Sequence, residues 1–479
     1  MLKRVRIILT VLLLLATVGV DAQVTTASMA GKVTDASNEP IIGATVQAVH
    51  QPSGSRYGTV TNVDGRYSIQ GMRTGGPYRV EISYIGYQTV IYKDITLQLG
   101  EVYNLNVEMS ESSELLNEVI VTAAKTKFTA EKTGATTNIS SAQMTQLPTV
   151  NRSISDIARL SPYANGMSFA GGDGRSTNFT IDGANFNNNF GLSSNLPGGG
   201  NPISMDAIEE VQVVVAPFDV RQTNFIGGGI NAITKSGTNT FRGTAYTYYR
   251  NQDMRGNRIN GEDLGARSDE SKTTYGFTLG GPIIKNKLFF FVNYEKEKTP
   301  GEVIKYRARE DGEDAKGMVS RTLKSDMEKV YNHLKDKYGY DAGSYTNFPA
   351  DEENTKLLAR IDWNITDRHR LSLRYNNTKN TAWNAPNGNS SDTGYRLNNT
   401  YRVGTQSMAF ANSMYSMDNK VQSWAADLNS RFTDKISNQL LFTYTNIEDM
   451  RGTNSSPFPF IDIMAGKDEN GNQILEPYM

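Results

Sequence analysis

From Thr240 onward the chain reads as a series of long strands whose connections alternate strictly between tight turns and long polar stretches. In TFRGTAYTYYR, Phe241, Gly243, Ala245, Thr247 and Tyr249 fall on one face, while Arg242, Thr244 and Arg250 fall on the other. TTYGFTLGG sets Tyr275, Phe277 and Leu279 against Thr274, Gly276 and Thr278. HRLSLRYNNT sets Leu371, Leu373 and Tyr375 against Arg370, Ser372, Arg374 and Asn376. KLLARIDWNI, VQSWAADLNSRF and ISNQLLFTYTN repeat the pattern. Strands of about 9 to 11 residues with one apolar and one charged face match a tilted, bilayer-spanning strand. A soluble antiparallel sheet with one wet face gives the same alternation. The connections separate the two readings. Turns near Lys285-Asn286, Asp367-Arg368 and Asp434-Lys435 are tight, and the stretches 251–271, 298–355 and 380–419 are long and polar. Structureless loops of that length are rare in compact soluble domains and ordinary on the outer side of a transmembrane barrel.

The N-terminus agrees with export. Lys3, Arg4 and Arg6 precede an apolar run from Ile7 to Val20, and Val20-Asp21-Ala22 offers a small-residue cleavage site between Ala22 and Gln23. The run is shorter than the roughly 20 residues of an anchoring helix, so a cleaved signal peptide over residues 1–22 is expected. No later segment resembles a transmembrane helix, so a chain entering a membrane would do so as a barrel. A mean hydropathy of -0.47 is compatible with this, because barrel strands are only half apolar. Lys and Arg number 49 against 50 Asp and Glu, which leaves no electrostatic footprint of a nucleic-acid binder. The chain has no cysteine, which excludes disulfides and thiolate metal sites.

Residues 23–110 carry short alternating runs, among them IIGATVQAV, GTVTNVDGRYSI and YRVEISYIGY, separated by turn signals at Asn38-Glu39-Pro40, Asp64-Gly65 and Gly75-Gly76-Pro77. Roughly seven short strands in this space indicate a β-sandwich. Asn62 and Asp64 read as a hairpin turn in preference to a ligand site. Beyond a linker at 111–123, residues 124–238 are α+β in texture, with helix candidates SSAQMTQL and NRSISDIARL. The second has Asn151 or Ser153 as N-cap and Ile154, Ile157, Ala158 and Leu160 on one face. This region is rich in glycine and asparagine and too poor in apolar residues to build its own core. It is expected to order only inside a surrounding wall, as a plug. The third region, 239–479, shows about seven strands. Bacterial barrels close with an even number, so the sequence is expected to be the N-terminal part of a longer protein that does not close a pore alone. The long connection holding RTLKSDMEKVYNHLKDKYGY is expected to form a helix packed on its own loop through Leu323, Met327, Val330, Tyr331 and Leu334.

The fold class expected is therefore mainly β: an N-terminal β-sandwich, an α+β plug and the first part of a transmembrane antiparallel β-barrel. In that order, NEVIVTA, TNFTIDGANFNN, IEEVQVVVAPFDVRQTNFIGGGINAITKSGTNTFRGTAYTYYRN and GFTLGGPIIKNKLFFFVNYE resemble a TonB-dependent outer-membrane receptor of the Oar-like branch. The sandwich resembles the carboxypeptidase regulatory-like domain, an accessory module without protease residues. Full-length members of the family carry about 22 strands, more than are found here.

The resemblance implies ligand capture by extracellular loops and the outer face of the plug, with TonB pairing to an extended periplasmic segment to move the plug. Glu118, Val119, Ile120, Val121, Thr122 and Ala123 match the TonB-box position. A β-branched, exposed stretch suits strand addition, and the same residues also read as a last strand of the sandwich. Candidates for ligand contact in the plug are Arg175, Asn178, Asp182, Asn185, Asn187, Asn188 and Asn189. Outer-membrane lipid, an unidentified extracellular ligand and a surface lipoprotein are the other implied partners.

Enzyme chemistry lacks its groups. His50, His333 and His369 lie in separate regions, and HExxH and GxSxG spacings are absent. GGGINAITKSG has the wrong order for a phosphate loop, and Asp182 to Asn189 lacks the closing Glu of a calcium loop. No cofactor or metal is expected. Active uptake through a plugged barrel is the first reading. An adhesin or secretion scaffold, a SusC-like glycan importer and a soluble glycan-binding sandwich protein are the rivals.

Overall fold

A computed structural model describes residues 24–111, 119–122, 135–147, 149, 152–188, 196–215, 222, 226–254, 256, 258–263, 271–300, 306–346, 348, 351–385, 402–467, 470–472 and 477–479. Its first unit is a sandwich of strands β1 (Ala27–Asp35), β2 (Thr45–His50), β3 (Ser55–Val60), β4 (Arg66–Met72), β5 (Gly75–Ser83), β6 (Val90–Leu97), β7 (Val102–Asn104) and β8 (Val107–Met109), with β9 (Val119–Thr122) added to one edge. One sheet has the order β3-β2-β5-β6-β9; in the other, β1 lies between β4 and β7 and also pairs with β8. Alternate residues point inward, so Met29, Val46, Ala48, Ile69, Val80 and Ile82 form the core. The Asp64-Gly65 turn is as read: the Asn62 side-chain oxygen accepts from the Asp64 and Arg66 amides at 3.0 and 2.8 Å.

The second unit is a five-stranded sheet built from β10 (Ala135–Ser140), β11 (Asn178–Ile181), β12 (Ala184–Asn185), β13 (Ile208–Val215) and β14 (Gly228–Thr234), in the order β10-β13-β14-β11-β12. Helices α1 (Ser141–Gln146) and α2 (Ile154–Ala158) lie beside it, each started by a reciprocal capping box, Ser140 with Gln143 and Ser153 with Asp156. Ile154, Ile157 and Ala158 are buried as the helical spacing requires, but Leu160 is 41% exposed, because the helix ends before it. The core of this unit is mostly its own, twenty of the twenty-three buried residues in its cluster, which corrects the expectation of a unit too poor in apolar residues to build one. Phe179, Ile181, Val211, Val213 and Ile230 cluster with Phe291, Leu358 and Val421, which belong to the third unit.

That third unit is one antiparallel sheet of β15 (Arg242–Asn251), β16 (Ser271–Ile284), β17 (Leu288–Thr299), β18 (Glu352–Asn364), β19 (His369–Asn384), β20 (Tyr415–Arg431) and β21 (Ser437–Gly452), each paired with the next. The strands run 10 to 17 residues, longer than the alternation alone indicated, because pairing continues past the apolar band into the loops. Its polarity is inverted relative to a soluble sheet. Tyr275, Phe277, Leu279, Trp363, Leu373, Leu440 and Phe442 face outward and are exposed, while Thr278, Asn293, Glu295, Lys356, Arg374, Asn376 and Thr378 are buried against the second unit. An apolar outer face and a polar inner face suit a wall in lipid, and the reading of a soluble sheet with one wet face does not survive. Among the described residues no helix is long and apolar enough to cross a membrane.

Helix α3 (Lys324–Tyr338) forms where the spacing placed it, but it does not pack on its own loop alone. Met327 is buried with Phe348, Met408, Phe410, Met414 and Met479, so two long connections and the segment after β21 share one satellite core. Tyr340, packed against this cluster, stacks on Phe458 at 3.9 Å between ring centres.

Candidate functional site

The junction of the three units is organised by alternating charges. Asp182 follows β11 with a left-handed backbone, φ 45°, which turns its side chain back onto the end of β14. Its carboxylate accepts from the Thr234 amide at 2.9 Å and hydroxyl at 2.7 Å. Across the gap to the wall it meets Arg374 Nε at 3.3 Å and Arg360 Nη1 at 3.5 Å. Arg360 also donates to the Thr234 carbonyl at 2.8 Å and grips Asp362 through Nε and Nη2 at 3.0 and 2.9 Å. Asp362 in turn accepts from Ser372 at 2.7 Å and faces Arg73 of the sandwich at 3.6 Å. The chain Arg374–Asp182–Arg360–Asp362–Arg73 therefore ties wall, second unit and sandwich together. Buried charges persist only when each has such a partner.

A cavity of about 440 Å³ opens beside this chain, between the three units. His50 lines it as a neutral imidazole, its pKa lowered to about 3 by burial and then by the nearby Arg73 and Arg370. Glu209, also on its wall, is pushed upward by burial, partly offset by Lys235 and Arg360.

Further along the wall the inner polar face holds the second unit by side chains. Glu295 accepts from Lys356 at 2.9 Å, Ser204 at 2.8 Å and Tyr246 at 2.9 Å. Arg152 pairs with Asp206 and lies 3.9 Å above the Tyr248 ring. Thr378 and Asn376 both donate to the Pro202 carbonyl, at 2.7 and 3.2 Å, and Asn354 donates to the Gly198 carbonyl at 3.1 Å. The glycines of this loop are required: Gly199 has φ 74°, and a Cβ there would lie 2.5 Å from Asn380 Cγ.

Of the residues expected to touch ligand, most hold the second unit to itself. Asn187 accepts from the Phe179 amide at 2.6 Å and donates to Asn178 at 2.8 Å, and its own amide donates to Asn185 at 2.7 Å. Asn178 is buried, Asp182 is in the charge chain, and Asn188 is half-buried. Arg175 is exposed and donates through Nε to Asp173 at 2.9 Å. Asn189 lies outside the described residues, as do Ala22, Gln23, Glu118 and Ala123. Among the described residues no group of three or more His, Asp or Glu side chains is placed to hold a metal ion.

Val119–Thr122 is not free. It pairs in parallel with β6, Val90 opposite Val119 and Lys93 opposite Thr122. Sequence reasoning left this placement open and missed the docking of the sandwich. Ser55 and Asn364 exchange hydrogen bonds at 3.0 and 3.2 Å, the Asn239 amide donates to the Pro52 carbonyl at 2.8 Å, and Thr25 donates to Asp427 at 2.6 Å. Arg370 donates to the Arg56 carbonyl at 2.6 Å and lies 3.6 Å from the Tyr57 ring centre. The turn at Leu99 enters the second unit, where its amide donates to Glu210 at 3.0 Å and its carbonyl accepts from Asn138 at 3.0 Å. These wall contacts with the sandwich lie at the short-turn end of the wall. No periodicity signal announces contacts between units so far apart in sequence.

Residues 28–110 match the carboxypeptidase regulatory-like domain family, and residues 233–303 match an outer membrane beta barrel domain family. The chain is similar to the TonB-dependent transporter Oar of Myxococcus xanthus, 25% identical over 376 residues, which is 73% of this chain and 33% of that protein. It thus spans about a third of that relative's length. Similar solved structures include the siderophore receptor PirA from Pseudomonas aeruginosa, at 15% identity and a TM-score of 0.41 over 67% of this chain and 42% of that one. The outer membrane transporter YddB from Escherichia coli matches at 16% identity and a TM-score of 0.46 over 67% of this chain and 40% of that one.

Proposed function

Starting from a homologue of the TonB-dependent transporter Oar that carries a carboxypeptidase regulatory-like domain and an outer membrane beta barrel domain, we propose that the chain serves TonB-dependent active transport across the outer membrane. In this reading residues 23–110 are a periplasmic sandwich, 124–238 the plug and 239–479 barrel wall. Glu118 to Ala123 is the segment TonB engages, and the exposed Arg175 belongs to the plug face offered to ligand. The observation that carries the reading is the inverted wall, apolar outside and polar inside, with its polar face spent on holding a glycine-rich unit. Such a unit is held by hydrogen bonds and ion pairs that can be exchanged for water. Moving it uncovers, besides these polar contacts, only the small apolar contact with Phe291, Leu358 and Val421. The substrate class is left open by this reading.

The test needs no knowledge of the substrate. Cells overproducing the full-length protein compete for the cellular TonB supply, so uptake through an unrelated TonB-dependent siderophore receptor falls. Deleting Glu118 to Ala123 restores it. Unchanged siderophore uptake in the presence of the intact protein, or equal depression by the deletion variant, rejects the reading.

A second reading, surface binding without transport, is favoured by the satellite core shared by two long connections and the segment after β21, which gives the loop side a built surface. It predicts ligand binding with no TonB-dependent uptake.

A further inference from the structure

The cavity at the junction of the three units carries a charge that its own residues do not balance. Six cations line it: Arg73 from the sandwich, Lys235 just past β14, and Arg242, Arg360, Arg370 and Arg374 from the wall. Asp182, Glu209 and Asp427 are the carboxylates on its lining, and Asp362 lies buried against Arg360 and Arg73. Six cations against four carboxylates leave an excess of two positive charges even with every acid ionised.

The carboxylates are also unevenly engaged. Asp182 and Asp362 each serve two guanidinium groups. Asp427 is taken up by neutral donors, accepting from Thr25 at 2.6 Å and from Gln439 at 3.0 Å. Glu209 lies within electrostatic reach of both Lys235 and Arg242, and burial favours its neutral form. Lys235, Arg242 and Arg370 make no ion pair among the described residues. Arg242, Gly280, Phe291, Arg360 and Arg374 are successive partners across the wall ladder, which sets three of the cations at one level. Like charges directly opposite, as Arg360 and Arg374 are, repel unless an anion sits between them.

Arg374 supplies the observation that points to a ligand. Its side chain is only 2% exposed, and Nη2 donates to Ser423 at 3.0 Å. Nε meets Asp182 at 3.3 Å without the alignment of a hydrogen bond, and Nη1 has no acceptor among the described residues. A guanidinium carries five N–H donors in a fixed fork and keeps its charge, so burying it part-satisfied is costly. The Ser236 hydroxyl accepts from Arg73 at 3.1 Å and keeps its own proton to donate into the same space. A volume of about 440 Å³ is ample for a phosphate-sized ion with bound water.

We propose that this cavity binds a doubly charged tetrahedral oxyanion, phosphate or sulfate, held by Arg374, Lys235 and Arg242 within the wider positive field of Arg370. Guanidinium groups meet such an ion as a fork and the ammonium group meets it as a point charge. The ion takes up the charge excess and joins the second unit to the wall beside the place where both meet the sandwich. This site is independent of the TonB assignment.

The test dialyses the full-length protein in detergent to equilibrium against radiolabelled phosphate in chloride buffer. The expected result is saturable binding of a single phosphate per chain, displaced by sulfate but not by acetate at the same ionic strength. Binding weakens at least about tenfold in Arg374→Met and in Lys235→Gln, the loss of a hydrogen bond to a charged group. Arg374→Met can also fail by loosening the second unit, so Lys235→Gln, at a half-buried position outside any described ion pair, is the deciding variant. Binding that does not saturate, equal displacement by acetate, or unchanged affinity in Lys235→Gln overturns the proposal.

Discussion

The carboxylate of Asp182 lies 3.3 Å from Nε of Arg374, a side chain only 2% exposed on the inner face of the wall. One carboxylate thus faces two wall cations, since Arg360 approaches the same group. Replacing Asp182 with Asn leaves both guanidinium groups without that charge. Breaking a buried pair in this way costs about 3 to 5 kcal/mol. The expected outcome is a loosened second unit, read as faster tryptic cleavage between residues 171 and 234 in the full-length protein, with Asp182→Glu closer to the parent.

The outward position of Leu373 predicts the response to a charge in lipid. Leu373→Arg should lower the folding stability in liposomes by about 2 to 4 kcal/mol at the bilayer midplane, and by less towards the surface. A wall that faced water would tolerate the change.

Glu210 links pH to the docking of the sandwich. Burial raises its pKa from 4.5 to about 7, against the opposing hydrogen bonds from Leu99 and Asn138. The folded state therefore holds a proton that the unfolded state has released. Stability from this group is full below pH 4.5 and is lost as pH rises through about 7. The expected outcome is a melting temperature that falls across this window and flattens in Glu210→Gln.

Arg370 acts by shape as much as by charge, because it spans the Tyr57 ring and the Arg56 carbonyl. Arg370→Lys cannot reproduce a planar stack with a directed hydrogen bond, and a loss of about 1 kcal/mol is expected. Hydrogen exchange in Ser55–Val60 should quicken, while exchange in the barrel strands stays as before.

Much of this fold could be read from period alone. Alternation gave the seven wall strands, and the order of short and long connections gave their pairing, because sequential antiparallel neighbours need nothing else. The capping boxes at Ser140 and Ser153 are local and equally visible. The site was less legible. Asn178, Asn185 and Asn187 read as ligand contacts because amides in a glycine-rich loop suit that role; their bonds to one another and to the backbone were not visible in the sequence. The charge chain through Asp182, Arg360 and Arg73 joins residues from three separate units, and pairings at that distance leave no periodic trace. Val119–Thr122 shows the limit most plainly: β-branched residues fit a free segment and a sheet edge equally well.

Phe291, Leu358 and Val421 add only an edge to a core that the glycine-rich unit builds mostly from its own residues. The unit therefore has apolar surface of its own to collapse on, and its contacts with the wall are mainly hydrogen bonds and ion pairs. The seam between unit and wall is thus a wet joint with one small dry patch.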